Sequence, residues 1–500
     1  MNRSATGVPG LDEVLHGGLL AGRVYLVDGN PGAGKTTLAL QYLLRGAAAG
    51  ERCLYVTLSE TAEELAASAA SHGWMLDGID VVELLPDPGQ LADDAALTMF
   101  HPSEVELTET TQKVMAVIER HRPDRMVFDS LSELRLLAQH SLRYRRQILA
   151  LKQFLVGRGC TVLLLDDRTA EGPDLQLLSV AHGVISLDHV APAYGPALRQ
   201  LRVVKFRGSG FSTGHQDIAI RRGGLVVFPR LVATDHGDDF VRESVASGVP
   251  RLDDMLGGGV DRGTTTLLVG APGTGKSTVA LQYASAAAAR GDHAAIFTFE
   301  EAPALLRARA DGMGIPARFG DGGGSIRVRH VYPTEILPGE LAALIRDAVE
   351  AGGARVVVID SLNGYLNALP SEKALTTQLH ELLSYLGNLG VATFLVAAQS
   401  SVIGSAARAP IDASYLADAV VLFRMFEHEG RVKKALSVLK KRSGRHEEAI
   451  REIWFDARGV HLGGPLLHLR GVLTGVPVEL VGRAPVVDPS IRPAAGGDGD

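Results

Sequence analysis

A phosphate-binding loop occurs twice in this chain, and no other feature restricts its fold as much. Gly29-Asn-Pro-Gly-Ala-Gly-Lys35-Thr36 has the GxxxxGK[ST] spacing, and Gly270-Ala-Pro-Gly-Thr-Gly-Lys276-Ser277 repeats it. Each copy follows a short apolar run, 24–28 and 266–269, and precedes a stretch of helical periodicity. A strand, a glycine-rich loop and a helix N-terminus form the setting in which this spacing binds phosphate. Gly29, Gly32 and Gly34, like Gly270, Gly273 and Gly275, let backbone N–H groups turn inward without Cβ clashes. The helix N-terminus adds partial positive charge. Lys35 and Lys276 can reach the β- and γ-phosphates, and the hydroxyls of Thr36 and Ser277 can hold Mg²⁺. ATP and Mg²⁺ are therefore the expected cofactors.

The repeat extends beyond the loops. Lys276 follows Lys35 by 276 − 35 = 241 residues, and at this offset Ser247-Gly-Val-Pro250 matches Thr6-Gly-Val-Pro9 and Asp253 matches Asp12. Ala-Leu-Gln-Tyr recurs in both loop helices, at 39–42 and 280–283. A period this long marks a duplicated domain rather than a solenoid. The expected division is 1–234 for the first domain, 240–483 for the second, and 484–500 as a disordered Pro-, Gly- and Asp-rich tail. A polar linker is expected near 234–239.

Within the first copy, strands are expected at 53–58, 81–85, 125–129, 161–165 and 184–187, with helices at 62–71 and 104–120. Residues 1–23 read as a short helix and turns, and 198–228 as antiparallel hairpins with a turn at Gly223-Gly224. In the second copy, strands are expected at 295–299, 355–360, 391–397, 419–423 and 435–440. The class is α/β: two tandem RecA-like P-loop domains, each a mostly parallel twisted sheet with helices on both faces.

Two further groups of residues belong with the loops. Arg125-Met-Val-Phe-Asp129 and Arg355-Val-Val-Val-Ile-Asp360 are apolar strands ending in an acid, the place of a Mg²⁺ ligand in phosphoryl-transfer sites. Hydrolysis also needs a group that positions or deprotonates water. Glu60, Glu300 and Glu301 are the candidates, at the carboxyl end of the strand after each loop helix, where ligands gather in open α/β sheets.

Composition removes other classes. At 46% hydrophobic and 21% charged the chain is globular, and a net charge of −7 does not favour a nucleic-acid partner. No run of 18 apolar residues occurs and the first residues hold no apolar secretion-signal core, so no membrane span and a cytoplasmic location are expected. Cys53 and Cys160 read as buried free thiols.

In combination, the tandem loops, the Thr-Phe-Glu300-Glu301 ending, Asp-Ser after each acid strand and the Thr-Gly-Val-Pro-Gly-Leu-Asp opening resemble the KaiC family. The resemblance runs to about residue 480. It implies ATP hydrolysis by a homo-hexameric ring that acts as a timing or signalling hub, with possible serine/threonine autokinase activity. It also implies a KaiB-like or other signalling protein as partner. The family's Lys-x-Arg, which reaches a neighbouring subunit's ATP, is matched by Lys205-Phe-Arg207 and Lys440-Lys-Arg442. The sequence departs from the family in the tail, where the family's clock partner binds, and at two further places. Ser59-Glu60 stands where two glutamates are found, so the second lobe is expected to be the stronger hydrolase. Ser414-Tyr415 stands at the paired Ser and Thr phosphorylation sites, which leaves Ser414 as the phosphorylation candidate.

Two other readings fit a P-loop chain. One is a RecA-type DNA recombinase or helicase motor, which calls for a basic central loop; residues 402–412 offer only Arg408 as a base. The other is a nucleotide-switched scaffold with little turnover.

Overall fold

The computed structural model describes residues 2–84, 102–138, 141–168, 175–191, 197–232, 240–320, 322, 324–366, 372–399 and 415–480. Ser414, Arg408, the linker at 234–239 and the tail at 484–500 lie outside them. The chain divides into two compact units, Met1–Arg230 and Leu231–Asp500.

The first unit is built on a nine-stranded sheet. Its order is Gly224–Phe228, His215–Arg221, Leu198–Phe206, Gly183–Val190, Val24–Gly29, Thr161–Asp167, Arg125–Asp129, Cys53–Thr57 and Ile79–Glu83. From Gly183–Val190 to the Ile79–Glu83 edge every pairing is parallel, and the three strands on the other side are antiparallel. The parallel strands are buried on both faces, which explains their continuous apolar runs. Tyr25, Val27, Tyr55, Val127 and Leu163 face the loop helix Lys35–Ala48, packing with its Leu38 and Leu43. Val24, Leu26, Leu54, Val56, Met126 and Phe128 face the other way, against Val114 and Ile118 of Pro102–His121 and Ile148 and Leu151 of Ser141–Val156. This period-2 alternation puts a core on each side of the sheet.

The second unit repeats the plan. Its order is Ile326–His330, His293–Thr298, Ala354–Asp360, Ala392–Ala398, Thr265–Gly270, Ala419–His428, Arg431–Lys441, Arg451–Asp456 and Gly459–Pro465. The class is thus the expected one in both units.

The repeated opening has a structural cause. The Asp12 carboxylate accepts from the Thr6 N–H at 2.9 Å, and Asp253 from the Ser247 N–H at 2.7 Å. Gln41 Nε2 donates to the Gly7 carbonyl and to the Leu225 carbonyl, and Gln282 Nε2 donates to the Ser247 carbonyl. The conserved spacing between the two copies therefore ties each opening segment to its own loop helix.

Several boundaries differ from the sequence reading. The strand expected at 81–85 lies at Ile79–Glu83, because its register is set by pairing Cys53 with Ile79. The lead-in to the first loop also pairs Arg3–Ser4 with Leu19–Leu20 as a short antiparallel ladder. The strand beginning at Ala419 continues to His428, held by Arg431–Lys441 alongside it. Cys53 and Cys160 are both free and buried, as expected.

Candidate functional site

Each phosphate loop leaves the carboxyl end of the central strand and enters its helix through a left-handed glycine. Gly34 has φ 106° and Gly275 φ 103°, values that favour glycine. A Cβ at Gly34 would stand 2.7 Å from Ile220 Cδ1, and one at Gly275 would stand 2.1 Å from Phe455 Cζ. Backbone conformation favours glycine at both positions, and at Gly275 the Phe455 ring leaves no room for a Cβ as well.

The metal-ligand candidates pair up in both lobes. The Thr36 hydroxyl stands beside Asp129, and the Ser277 hydroxyl beside Asp360. Asp129 is buried and Asp360 half-buried, and desolvation pushes each pKa up. Hydrogen bonding opposes this, chiefly from Tyr55 at Asp129 and from Ser277 at Asp360. The Tyr55 hydroxyl donates to Asp129 Oδ2 at 2.5 Å. A hydroxyl beside a carboxylate is a hard-oxygen donor set of the kind Mg²⁺ takes alongside nucleotide phosphates. Among the described residues no group of three or more His, Cys, Asp and Glu is arranged to hold a metal. The fit is therefore to a metal carried in with phosphate.

The water-positioning candidates differ between the lobes. In the second, Ser361 Oγ donates to Glu300 Oε1 at 2.9 Å, while Glu301 Oε2 lies 2.6 Å from Arg309 Nη2. Burial raises the Glu301 pKa against the pull of Arg309. In the first, Glu60 is held through its backbone: the Thr57 hydroxyl accepts from its N–H and donates to its carbonyl. Burial raises the Glu60 pKa, followed by the charges of Asp129, Glu64 and Asp167.

The loop lysines also have different partners. Lys35 Nζ donates to the carbonyls of Gly29 and Asn30 and forms an ion pair with Asp167 Oδ1 at 2.6 Å. Lys276 Nζ donates to the Ala271 carbonyl. Burial lowers the Lys276 pKa, against the charges of Asp360 and Glu300.

The structure brings Gly29, Gly32, Gly34, Lys35, Thr36, Asp129 and Glu60 to the carboxyl end of the first sheet, and their counterparts to the carboxyl end of the second. It does not bring the Lys-x-Arg residues there. The Arg207 N–H reaches the His182 carbonyl, and the His182 N–H that of Val24, so Arg207 is level with the start of the loop strand. Arg442 is likewise level with Thr265 through Asp418. That is five strand residues, roughly 16 Å, from the lobe's own phosphate loop. Lys205 Nζ donates to the carbonyls of Leu178 and Ala181, and Lys440 Nζ to that of Ala417. Arg442 pairs with Asp418 at 3.3 Å and is half exposed beside a cleft of about 590 Å³.

Sequence reasoning missed Tyr55, Arg309, Ser361 and Asp167. Asp167 carried a readable signal: the strand Thr161–Asp167 ends in an acid, as the two acid strands do. Arg309 carried none, since its role depends on how Pro303–Gly312 lies over the Glu300-Glu301 turn.

Two duplicated sheets, each with a phosphate loop facing an acid strand, define a tandem P-loop NTPase. The sequence matches the family described as "ATPase: KaiC" over residues 4–232 and 245–464. The chain belongs to the KaiC ATPase family. It is 26% identical over 485 residues to the circadian clock protein KaiC3 of Synechocystis sp., covering 95% of this chain and 94% of that protein. It is 26% identical over 488 residues to the circadian clock oscillator protein KaiC of Acaryochloris marina, covering 95% and 91%. The same identity holds over 484 residues with the KaiC of Synechococcus elongatus, covering 95% and 92%. No helix among the described residues is long and apolar enough to cross a membrane.

Proposed function

We propose that the chain binds Mg-ATP at both loops, hydrolyses it mainly in the second lobe, and assembles into a ring of six copies that acts as a timing or signalling hub. Mg²⁺ would draw charge from the β- and γ-phosphates. The chain's own part is to hold the nucleotide on the loop N–H groups and Lys35 or Lys276. Thr36 with Asp129, and Ser277 with Asp360, would hold the metal. Glu300 accepts a hydrogen bond from Ser361, and its carboxylate would position the attacking water. Glu60 stands alone in the first lobe, with Ser59 in place of a second acid.

The observation that carries ring assembly is the position of Arg207 and Arg442. Each lies at the far end of its sheet from its own loop, out of reach of the nucleotide that loop would hold, which supports a role on a neighbouring copy. An arginine that reaches a γ-phosphate stabilises transition-state charge and couples assembly to ATP. Serine autokinase activity at Ser414, a cytoplasmic location and a KaiB-like or other signalling partner complete the proposal. The relatives whose names describe circadian clock proteins support the timing role alone.

The deciding experiment measures molecular mass with and without ATP and Mg²⁺, together with nucleotide stoichiometry and phosphate release. Two nucleotides per chain and an ATP-dependent rise in mass are expected. One nucleotide per chain at saturation, or a mass that ignores ATP, overturns the reading.

A further inference from the structure

One backbone carbonyl in the acid turn is held in both lobes, by different groups. In the first lobe the Thr57 hydroxyl donates to the Glu60 carbonyl at 2.8 Å. At the 241-residue offset the matching residues are Thr298 and Glu301. There the Glu301 carbonyl lies 3.2 Å from Nδ1 of His330, and the Thr298 hydroxyl lies at the same distance from that nitrogen. A carbonyl oxygen only accepts, so this contact places the ring proton on Nδ1, with the Thr298 oxygen sharing it.

Register sets up the difference. Thr57 is paired with Glu83 of the first sheet's edge strand, and Thr298 with His330 of the second's. Glu83 Oε1 accepts from the Ala62 N–H at 2.8 Å and so caps the helix that follows the turn. His330 reaches the turn itself. Its ring meets Tyr332 edge-on, with centroids 4.6 Å apart and planes at 90°, which fixes the plane of the imidazole. Thr298 is fully buried, so packing fixes its side of the contact. The turn has other holds: the Phe299 N–H donates to the Asp360 carbonyl at 2.8 Å, Ser361 bonds Glu300, and Arg309 pairs with Glu301. His330 adds a hold on the backbone just after Glu300, where a rotation of the peptide would swing that carboxylate.

We propose that His330 is a positioning residue for ATP hydrolysis in the second lobe. By holding the Glu301 carbonyl it fixes the turn from which Glu300 presents its carboxylate to the attacking water. The inference rests on the reading that the second lobe hydrolyses ATP through Glu300. A misplacement of about 1 Å in a reacting group costs on the order of 10²-fold in rate. A loosened turn is therefore felt in turnover, while affinity, set by the loop N–H groups and Lys276, is kept.

The test is a double-mutant cycle in the full-length chain: His330→Ala, Glu300→Gln and the two combined. Steady-state phosphate release and KM for ATP are measured, with the Kd of the non-hydrolysable β,γ-imido analogue of ATP taken by calorimetry. His330→Ala is expected to remove at least about nine-tenths of the release that Glu300→Gln removes, with KM and Kd within about two-fold of the wild type. Added to Glu300→Gln it is expected to change almost nothing, since it acts through that carboxylate. His330→Asn puts an amide N–H near the place of Nδ1 and is expected to recover most of the rate. His330→Gln puts its amide nearer the place of Nε2 and is expected to recover little. This pair decides the matter even where His330→Ala does not fold. Equal rates in the Asn and Gln variants overturn the proposal, as does the same fold-loss from His330→Ala with and without Glu300→Gln. A Glu300→Gln chain that releases phosphate at the wild-type rate overturns the reading of Glu300, and the positioning role falls with it.

Discussion

Arg309 Nη2 lies 2.6 Å from Glu301 Oε2, and this ion pair divides the work of two adjacent acids. Glu301 is neutralised within its own lobe, and Arg309 Nη1 also donates to Thr278 Oγ1 at 3.2 Å, fixing the pair to the loop helix. Glu300 is left with one serine hydroxyl and an exposed position. Glu300→Gln is therefore expected to lower phosphate release from the second lobe by about 10²–10⁴, the usual worth of a general base. Glu301→Gln is expected to cost less activity and to lower stability, since it leaves Arg309 partly buried without its partner. Glu60→Gln is expected to reduce total phosphate release least of the three. Steady-state phosphate release from the three variants ranks them, and a larger loss from Glu60→Gln than from Glu300→Gln would place the main hydrolase in the first lobe.

Much of this site was legible because glycine spacing and strand-end acids are local signals. The loops, Asp129 and Asp360 needed only a strand before them and a helix after. The helix at 62–71 was equally local: Thr61 and Glu64 form a capping box that marks its start. Contacts made across the sheet were not legible. Asp167 matters because register puts it opposite Gly29, and Tyr55 because it lies under Asp129. Edge strands were hard for a related reason. Ile326–His330 alternates Arg327 and Arg329 with buried or half-buried residues, and Arg451–Asp456 has the same half-polar character, so neither reads as an apolar run. The Ser141–Val156 helix, with Arg143, Arg145 and Arg146 near its start, was hidden in the same way.

Asp166 gives the first lobe a distinctive dependence on pH. Burial pushes its pKa up to about 6, against the opposing charge of Arg135. A carboxyl that binds its proton more tightly when folded contributes stability at low pH, and that contribution is lost as pH rises from about 4 to about 6. Asp166→Asn imitates the protonated form. The variant should match the wild type near pH 4 and become the more stable of the two at pH 7, by something on the order of 3 kcal/mol. Each lobe holds one of the two tryptophans, Trp74 in the first and Trp454 in the second, so fluorescence with a single-tryptophan variant follows the first lobe alone. A gap between variant and wild type that does not change with pH would show that Asp166 is ionised throughout.

Phosphorylation is expected at one serine per chain. A serine hydroxyl is a weak nucleophile and needs a proton acceptor and an ATP held in line. Tyr415 follows Ser414 and cannot take the place of a threonine, because its hydroxyl lies several ångströms further from the backbone. Incubation with ATP and Mg²⁺ followed by mass spectrometry should give unmodified and singly modified chains, with the phosphate on Ser414. Doubly modified chains would contradict this two-state pattern, and hydrolysis without any phosphoserine would leave an ATPase that is not an autokinase.

Arg207 and Arg442 should act on a neighbouring copy. Arg442 is level with Thr265 at the amino end of its loop strand, and the phosphate loop begins at Gly270 at the other end. No rotamer of an arginine spans five strand residues, so the guanidinium cannot reach its own nucleotide. Its present partners, Asp418 and the Tyr415 carbonyl, leave it about half exposed, and an exposed ion pair of this kind contributes little to stability. Arg442→Ala should therefore fold normally and lose phosphate release. Lys276→Ala should lose it too, through the loop. Mixing the two variants in the presence of ATP puts some intact Lys276 loops beside intact Arg442 side chains, because each composite site takes one residue from each copy. Phosphate release should rise above that of either variant alone and peak near equal proportions. Exchange of subunits is checked by mass or by fluorescence transfer between labelled chains. Mixed assemblies with no recovered activity would show that Arg442 serves only to pair with Asp418.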